Sequence, residues 1–291
     1  MLINEVSKTT GLTKKAIEYY TMQGLVSPTI LENGYRDYSQ SDIEKLDKIS
    51  ILRQLGLSTN EIKTVLSDES KAALKTISVR KELSYQREQA KKQPLDKLSQ
   101  GYDYSEISKE LQAIDNSKTI TEKLLEAFPG YFGMFICLHF ARFLNEPIKT
   151  EEQQSAYEKI ISFLDNVPHF TLPEDLQEYL TESTKNIGAE QITELIENTR
   201  KSIKNPDDFL AGNKEILEQY LAYKQSEEYK NSPAYRLMEF TKEFNKTIGY
   251  YDVFIPALKE LSPSYSEYYR QLEEANKKLL ERYPKIREIS E

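Results

Sequence analysis

The sequence predicts a mainly α protein with two globular parts joined by a charged helix. Apolar residues recur at helical spacing along nearly the whole chain, and only the stretch from Gly34 to Tyr38 reads as strand. At 291 residues the chain exceeds one ordinary domain. Charge is also unevenly spread within a net −8: residues 71–98 carry eight Lys/Arg against three Asp/Glu, whereas residues 119–291 carry 21 against 30. The total argues against a polyanionic partner, but local charge decides where a polyanion can sit.

The first part spans residues 1–69. Ile3, Val6 and Leu12 mark a short helix that ends in a turn at Gly11. Thr13 has the chemistry of a helix cap and opens a second helix carrying Ile17, Tyr20 and Met22, which Gly24 stops. Residues 25–38 read as a loop with a tight turn at Asn33-Gly34. Ser39 with Asp42 caps a third helix bearing Ile43, Leu46, Ile49 and Leu52. Ser58 with Glu61 forms a capping box for a fourth, with Ile62, Val65 and Leu66.

Residues 70–118 are expected to hold one charged helix, over 70–93, and a polar connector. The apolar residues Leu74, Ile77, Val79 and Leu83 are too sparse to bury a core, so this helix needs a partner, often its own copy. Pro94 is expected to end or kink it. Its positive balance suits either a solvated face or a segment lying beside DNA.

Residues 119–291 read as a second, all-helical domain. Pro129, Pro147, Pro168, Pro173, Gly188, Pro206, Pro233, Gly249 and Pro263 punctuate helical stretches near 132–145, 151–166, 174–187, 190–203, 208–230, 234–248, 252–261 and 265–282. Thr150 with Gln153 and Ser264 with Glu267 have capping-box spacing.

Composition removes several function classes. No window approaches a membrane span, and the N-terminus lacks the basic start and apolar run of a secretory signal, so a cytoplasmic location with no membrane partner is expected. A single cysteine, Cys137, leaves no internal disulfide framework. Cys137 and His139 stand two apart on a helix and face different ways, and His169 is the second histidine of two; no metal site and no cofactor are expected. No phosphate-binding glycine loop or nucleophile–base pairing points to an enzyme.

The residues that carry chemistry begin with the two short helices. Lys14, Lys15 and Tyr19 gather near the start of the second helix, the end that a major groove receives in a helix-turn-helix. Arg36 and Tyr38, after the Asn33-Gly34 turn, would project from a wing onto the adjacent sugar-phosphate backbone. A small bundle with scattered surface lysines would share this pattern, so the motif alone does not decide. The order of residues does more. Ile3-x-Glu-Val-Ser-Lys-Thr-Thr-Gly11, the Tyr19-Tyr20 pair before Gly24-Leu-Val, the wing Gly34-Tyr-Arg-x-Tyr38 and the turn Leu55-Gly-Leu-Ser58 together resemble the MerR family over residues 2–66.

That resemblance implies a winged helix-turn-helix that binds double-stranded promoter DNA. Thr13, Lys15 and Tyr19 would face bases and phosphates, with Lys14 beside them, and Tyr20 would seat the helix. Arg36 and Tyr38 would hold the flanking backbone, and Arg53 would meet a further phosphate. It also implies a homodimer, paired through the helix near 70–93, that bends and untwists promoter DNA so that RNA polymerase can engage. One departure stands out: where the family often has Arg before the tyrosine pair, this chain has Glu18. Glu18 is expected either to pair with Lys14 or Lys15, or to mark a different footprint.

In such proteins the C-terminal part selects the signal. All 11 Phe and 13 of the 20 Tyr lie within 119–291, so aromatic chemistry replaces metal ligation there. Tyr131, Phe135 and Phe143 lie in one segment that is apolar on most of its helical circumference; Tyr235, Phe240, Phe244 and Tyr251 form a second cluster with Glu239 among them. Rings with a carboxylate suit a lipophilic or cationic drug-like effector, whereas rings alone are ordinary core. The helical pattern differs from the β-rich sensor of some multidrug regulators in the family. The alternative is a C-terminal domain that binds a protein partner instead of a small molecule.

Overall fold

The computed structural model describes residues 1–68, 72–128, 130–168 and 170–286. The expected boundary at 69/70, Pro129 and His169 lie outside them. The chain divides into two compact units, Met1–Ile77 and Ser78–Glu291. It is mainly α, with one two-stranded hairpin. Among the described residues no helix is long and apolar enough to cross a membrane.

The first unit contains α1 (Ile3–Thr10), α2 (Lys14–Met22), β1 (Thr29–Ile30), β2 (Arg36–Asp37), α3 (Gln40–Gln54) and α4 (Thr59–Ser67). Each helix is too short to be stable alone, so each is held by one apolar stripe and its caps. Val6, Ile17, Tyr20, Leu46, Ile49 and Ile62 meet in one buried cluster, which Ile77 joins. Ser39 caps α3 and receives Asp42 in return, as expected from the sequence, and Ser58 and Glu61 do the same for α4. Asp42 is buried and accepts hydrogen bonds from the Ser39 amide at 2.9 Å, the Ser39 hydroxyl at 2.7 Å and the Ser27 amide at 3.2 Å. Burial pushes its carboxyl up, but these donors outweigh it and hold the pKa below the usual aspartate value.

α5 (Ala72–Ala90) runs from the first unit into the second. The stretch after it is not a polar connector. It forms α6 (Lys92–Ser99) and α7 (Tyr104–Ala127), and α7 passes through the point where the sequence suggested a boundary at 118/119. Pro94 sits in the first turn of α6, where its missing N–H breaks no intrahelical bond. Asp103 caps α7 by accepting from the Ser105 amide at 2.6 Å.

The second unit continues with α8 (Gly130–Ala141), α9 (Glu151–Asn166), α10 (Glu174–Ser183), α11 (Ala189–Lys204), α12 (Pro206–Gly212), α13 (Lys214–Gln225), α14 (Glu227–Lys230) and α15 (Pro233–Thr247). A π-helical turn (Tyr250–Phe254) then leads into α16 (Ile255–Leu261) and α17 (Pro263–Arg282). The single helix expected over 208–230 is broken at Asn213 and again at Ser226, which caps α14. Thr150 does cap α9, but α17 is capped by Ser262, not Ser264. The Gln153 side chain accepts from the Lys149 amide at 2.7 Å and donates to the Leu261 carbonyl at 3.2 Å, tying α9 to the end of α16.

α8 is the centre of this unit. Met134, Cys137, Leu138 and Phe140 are buried, and the remaining rings are half-buried against the same core. Its Gly133 lies so close to the preceding chain that a Cβ would fall 1.5 Å from the Phe128 carbonyl oxygen. The Cys137 thiol donates to the Thr121 carbonyl at 3.3 Å, and burial pushes its pKa far up, which makes it an inert core group.

Candidate nucleic-acid interface

The interface is built on α2. Gly11 ends α1 in the left-handed region, at φ 69°, which turns the chain sharply into α2. The Ser7 hydroxyl donates to the Leu12 carbonyl at 2.6 Å and fixes that turn. Thr13 caps α2, its hydroxyl accepting from the Ala16 amide at 3.2 Å. Ile17 and Tyr20 then point inward and bury, while Lys14, Lys15, Glu18 and Tyr19 stay on the solvent side. The helix start therefore offers unsatisfied amides and two ammonium groups to one region of solvent.

The hairpin lies next in the chain. Thr29 pairs with Asp37 and Ile30 with Arg36, antiparallel. Gly34 closes the turn at φ 81°, its amide donating to Leu31 at 2.8 Å, and the Asn33 side chain accepts from the Tyr35 amide at 3.1 Å. An isolated bridge between Leu2 and Asp37 adds the start of the chain to the hairpin's edge. Arg36, Tyr35 and Ile30 project into solvent. The Tyr19 hydroxyl lies 3.1 Å from the Thr59 hydroxyl at the start of α4, which places a further helix N-terminus beside α2.

A family model described as MerR HTH family regulatory protein matches residues 1–69. The HTH-type transcriptional regulator CueR of Salmonella typhimurium (strain LT2) is 45% identical over 62 residues, covering 21% of this chain and 45% of that protein. The heavy metal-dependent transcription regulator 2 of Rhizobium meliloti (strain 1021) is 40% identical over 77 residues, covering 25% and 52%. HmrR of Rhizobium leguminosarum bv. viciae is 42% identical over 67 residues, covering 23% and 52%. Residues 1–69 are a MerR-family helix-turn-helix domain. The family is one of transcription regulators, not of enzymes. The chain spans about half the length of these relatives, and residues beyond the MerR domain are unassigned. No solved structure matches the chain.

Within the MerR domain the proposed DNA-facing residues divide into two groups. Thr13, Lys14, Lys15, Tyr19, Arg36 and Arg53 are exposed, and Tyr20 is buried at 7%. Tyr38 does not project from the wing. It follows the end of β2, so strand alternation no longer governs it, and its ring is 1% exposed with the hydroxyl 3.3 Å from Thr21 of α2. It locks the hairpin base to the recognition helix. Arg53 spends one guanidinium nitrogen on the Leu57 carbonyl at 2.6 Å, which pins the turn before α4 and leaves the rest of its fork exposed. Glu18 forms no ion pair with Lys14 or Lys15 among the described residues, so the anionic side chain stays on the exposed face. Thr59 carries no local signal in the chain; its place beside Tyr19 arises from tertiary packing.

The aromatic and acidic residues expected to form an effector site are not assembled. Phe143 is buried against Tyr265 and Tyr268. Tyr131 stacks on Phe135, which stacks on His139. Phe240 and Phe244 pack on Phe170 at 5.8 and 4.8 Å between ring centres, and Tyr235 packs on Tyr229. Glu239 is exposed and lies apart from the large cleft of this unit, whose volume is about 790 Å³; of the eight residues only Tyr251 lines that cleft. Tyr131, Phe135, Phe143, Phe240 and Phe244 pack in or against the core cluster instead. The lysines that do line the cleft, Lys224 and Lys242, were missed, although Lys224 lies within a run of tyrosines. No group of three or more metal-ligating side chains occurs among the described residues.

Proposed function

We propose that this protein is a ligand-responsive transcription regulator that binds promoter DNA as a dimer and distorts it to activate transcription by RNA polymerase. The observation that carries the reading is the exposed face of α2: Lys14, Lys15 and Tyr19 stand together on a helix seated by buried Ile17 and Tyr20, with Arg36 exposed on the adjacent hairpin. Cationic and hydroxyl groups on a rigid helix start are what a major groove and its flanking phosphates accept. The match of residues 1–69 to transcription regulators supports the same conclusion. In this reading α5 pairs with its copy, and the second unit senses a drug-like small molecule. The exposed position of Glu239 gives no support to a cationic one.

The test is a gel shift with duplex DNA from upstream of the protein's own gene or of a neighbouring transporter gene, with light scattering on the free protein. A dimer that shifts the duplex, and a Lys14→Ala/Lys15→Ala variant that binds it at least tenfold more weakly, are expected. A monomer that leaves the duplex unshifted at low salt removes the reading.

A further inference from the structure

The second unit holds an open cleft of about 790 Å³ lined from α8, α10, α13, α15, the π-helical turn and the end of α17. Its walls are mostly apolar: Leu217, Leu237 and Leu279 with the rings of Tyr179 and Tyr220. The charged side chains that line it among the described residues are Lys224 and Lys242, and no carboxylate does so. That is against the background of residues 119–291, where 30 acidic residues outnumber 21 basic ones. A volume of this size is that of a small-molecule site, and apolar walls with a few fixed polar groups are what such sites share.

Lys224 is held in place. Its ammonium donates to the Tyr229 hydroxyl and lies 4.0 Å from the centre of the Tyr229 ring and 5.5 Å from that of Tyr220. The Tyr229 hydroxyl in turn donates to the sulfur of Met238, itself part of the cleft wall, at 3.6 Å. Partial burial pushes the ammonium's pKa down, but the two tyrosines outweigh it, so Lys224 is charged at neutral pH. Among the described residues no carboxylate pairs with Lys224 in the cleft, so this half-buried cation, held by part-buried polar contacts, places a positive charge beside apolar surface.

We propose that this cleft binds a soluble lipophilic anion, with an apolar aromatic or aliphatic body and a carboxylate or sulfonate head set against Lys224. The proposal deepens the effector reading of the second unit and rests on it for its regulatory meaning, but binding itself is measured without DNA.

The experiment is a fluorescence titration of the full chain with 1-pyrenebutyrate, and with 1-pyrenemethylamine as the probe of opposite charge. Saturable binding of the anion, with the amine at least tenfold weaker, is expected. Lys224→Gln should weaken pyrenebutyrate at least tenfold. Ser183→Trp, which fills the cleft from an exposed lining position, should do the same without touching the Lys224 contacts. If the lysine variant fails to fold, the comparison of the two probes and the Ser183 variant decide. Absence of binding, equal binding of both probes, or parent affinity in the folded lysine variant overturns the proposal. A chain that binds pyrenebutyrate but not its upstream duplex supports the cleft and removes the regulator reading; a chain that binds the duplex but no probe does the reverse.

Discussion

In α2 two adjacent tyrosines part company: Tyr20 enters the core at 7% exposure, and Tyr19 stays at the surface at 42%. In α8 the aromatic residues part less sharply: Phe140 is buried, while Tyr131, Phe132 and Phe135 are half-buried against the same core. A short helix with one buried stripe leaves its other face free, so its outward residues can be named as candidates for contact. A central helix leaves little, and most of its rings are committed to packing, although Phe132 of α8 also lines the cleft. The first unit therefore shows its chemistry on helix faces, whereas the second shows it in a cleft lined from five separated helices.

The largest expected effect sharpens the line between packing and contact in the first unit. Tyr38→Ala should cost about 4 kcal/mol by leaving a cavity under the hairpin, while Tyr38→Phe should cost only about 1 kcal/mol, the loss of one hydrogen bond to Thr21. Chemical denaturation measures both. A Tyr38→Phe protein of parent stability but much weaker DNA binding would return Tyr38 to the interface.

Gly133→Ala tests the crowding of the second unit. The added methyl cannot coexist with the Phe128 carbonyl, so the backbone must move, at a cost of about 3 kcal/mol. Hydrogen exchange should report the loss in α8 and its neighbours and leave α3 unaffected; equal loss in both units would break the comparison.

His139 gives a pH signature of the same core. Its ring sits among Phe135, Phe140, Phe143 and Tyr268, and burial, helped by Arg142, pushes its pKa down from 6.5 to about 4. The unfolded chain thus binds a proton in a range where the folded chain does not. Stability is fully present above pH 6.5 and falls as the pH drops from there to about 4, by up to ~3 kcal/mol. In a His139→Gln protein that slope should flatten, as followed by thermal melts at pH 7, 6, 5 and 4. An unchanged slope assigns it to other groups.

The smallest expected effect concerns Glu239. Exposed and apart from the cleft, its replacement by Ala should leave pyrenebutyrate affinity unchanged, and a tenfold loss in the same titration would bring it back into the site.

The legible parts of this fold are those set by local rules. The caps at Thr13, Ser39 and Ser58, the turn at Gly34 and the inward pair Ile17 and Tyr20 follow from neighbours within four residues. Tyr38 misled because its place after the Asn33-Gly34 turn does not show the tertiary contact with Thr21 of α2 that turns it inward. The stretch after Pro94 was misread because a proline in a first helical turn looks, in sequence, like one that ends a helix. The cleft was illegible for a different reason. Tyr179, Leu217, Leu237 and Leu279 lie on four helices far apart in the chain, and no short spacing brings them together.

The central claim, that α2 and the hairpin grip duplex DNA, is tested most directly by the salt dependence of binding. Affinity of the parent and of Arg36→Ala for the upstream duplex should be measured across salt concentration. Loss of one phosphate contact should weaken binding on specific and unrelated sequences alike and make the slope of log affinity against log salt shallower by about 1. Equal affinity and equal slope for the two proteins would contradict it.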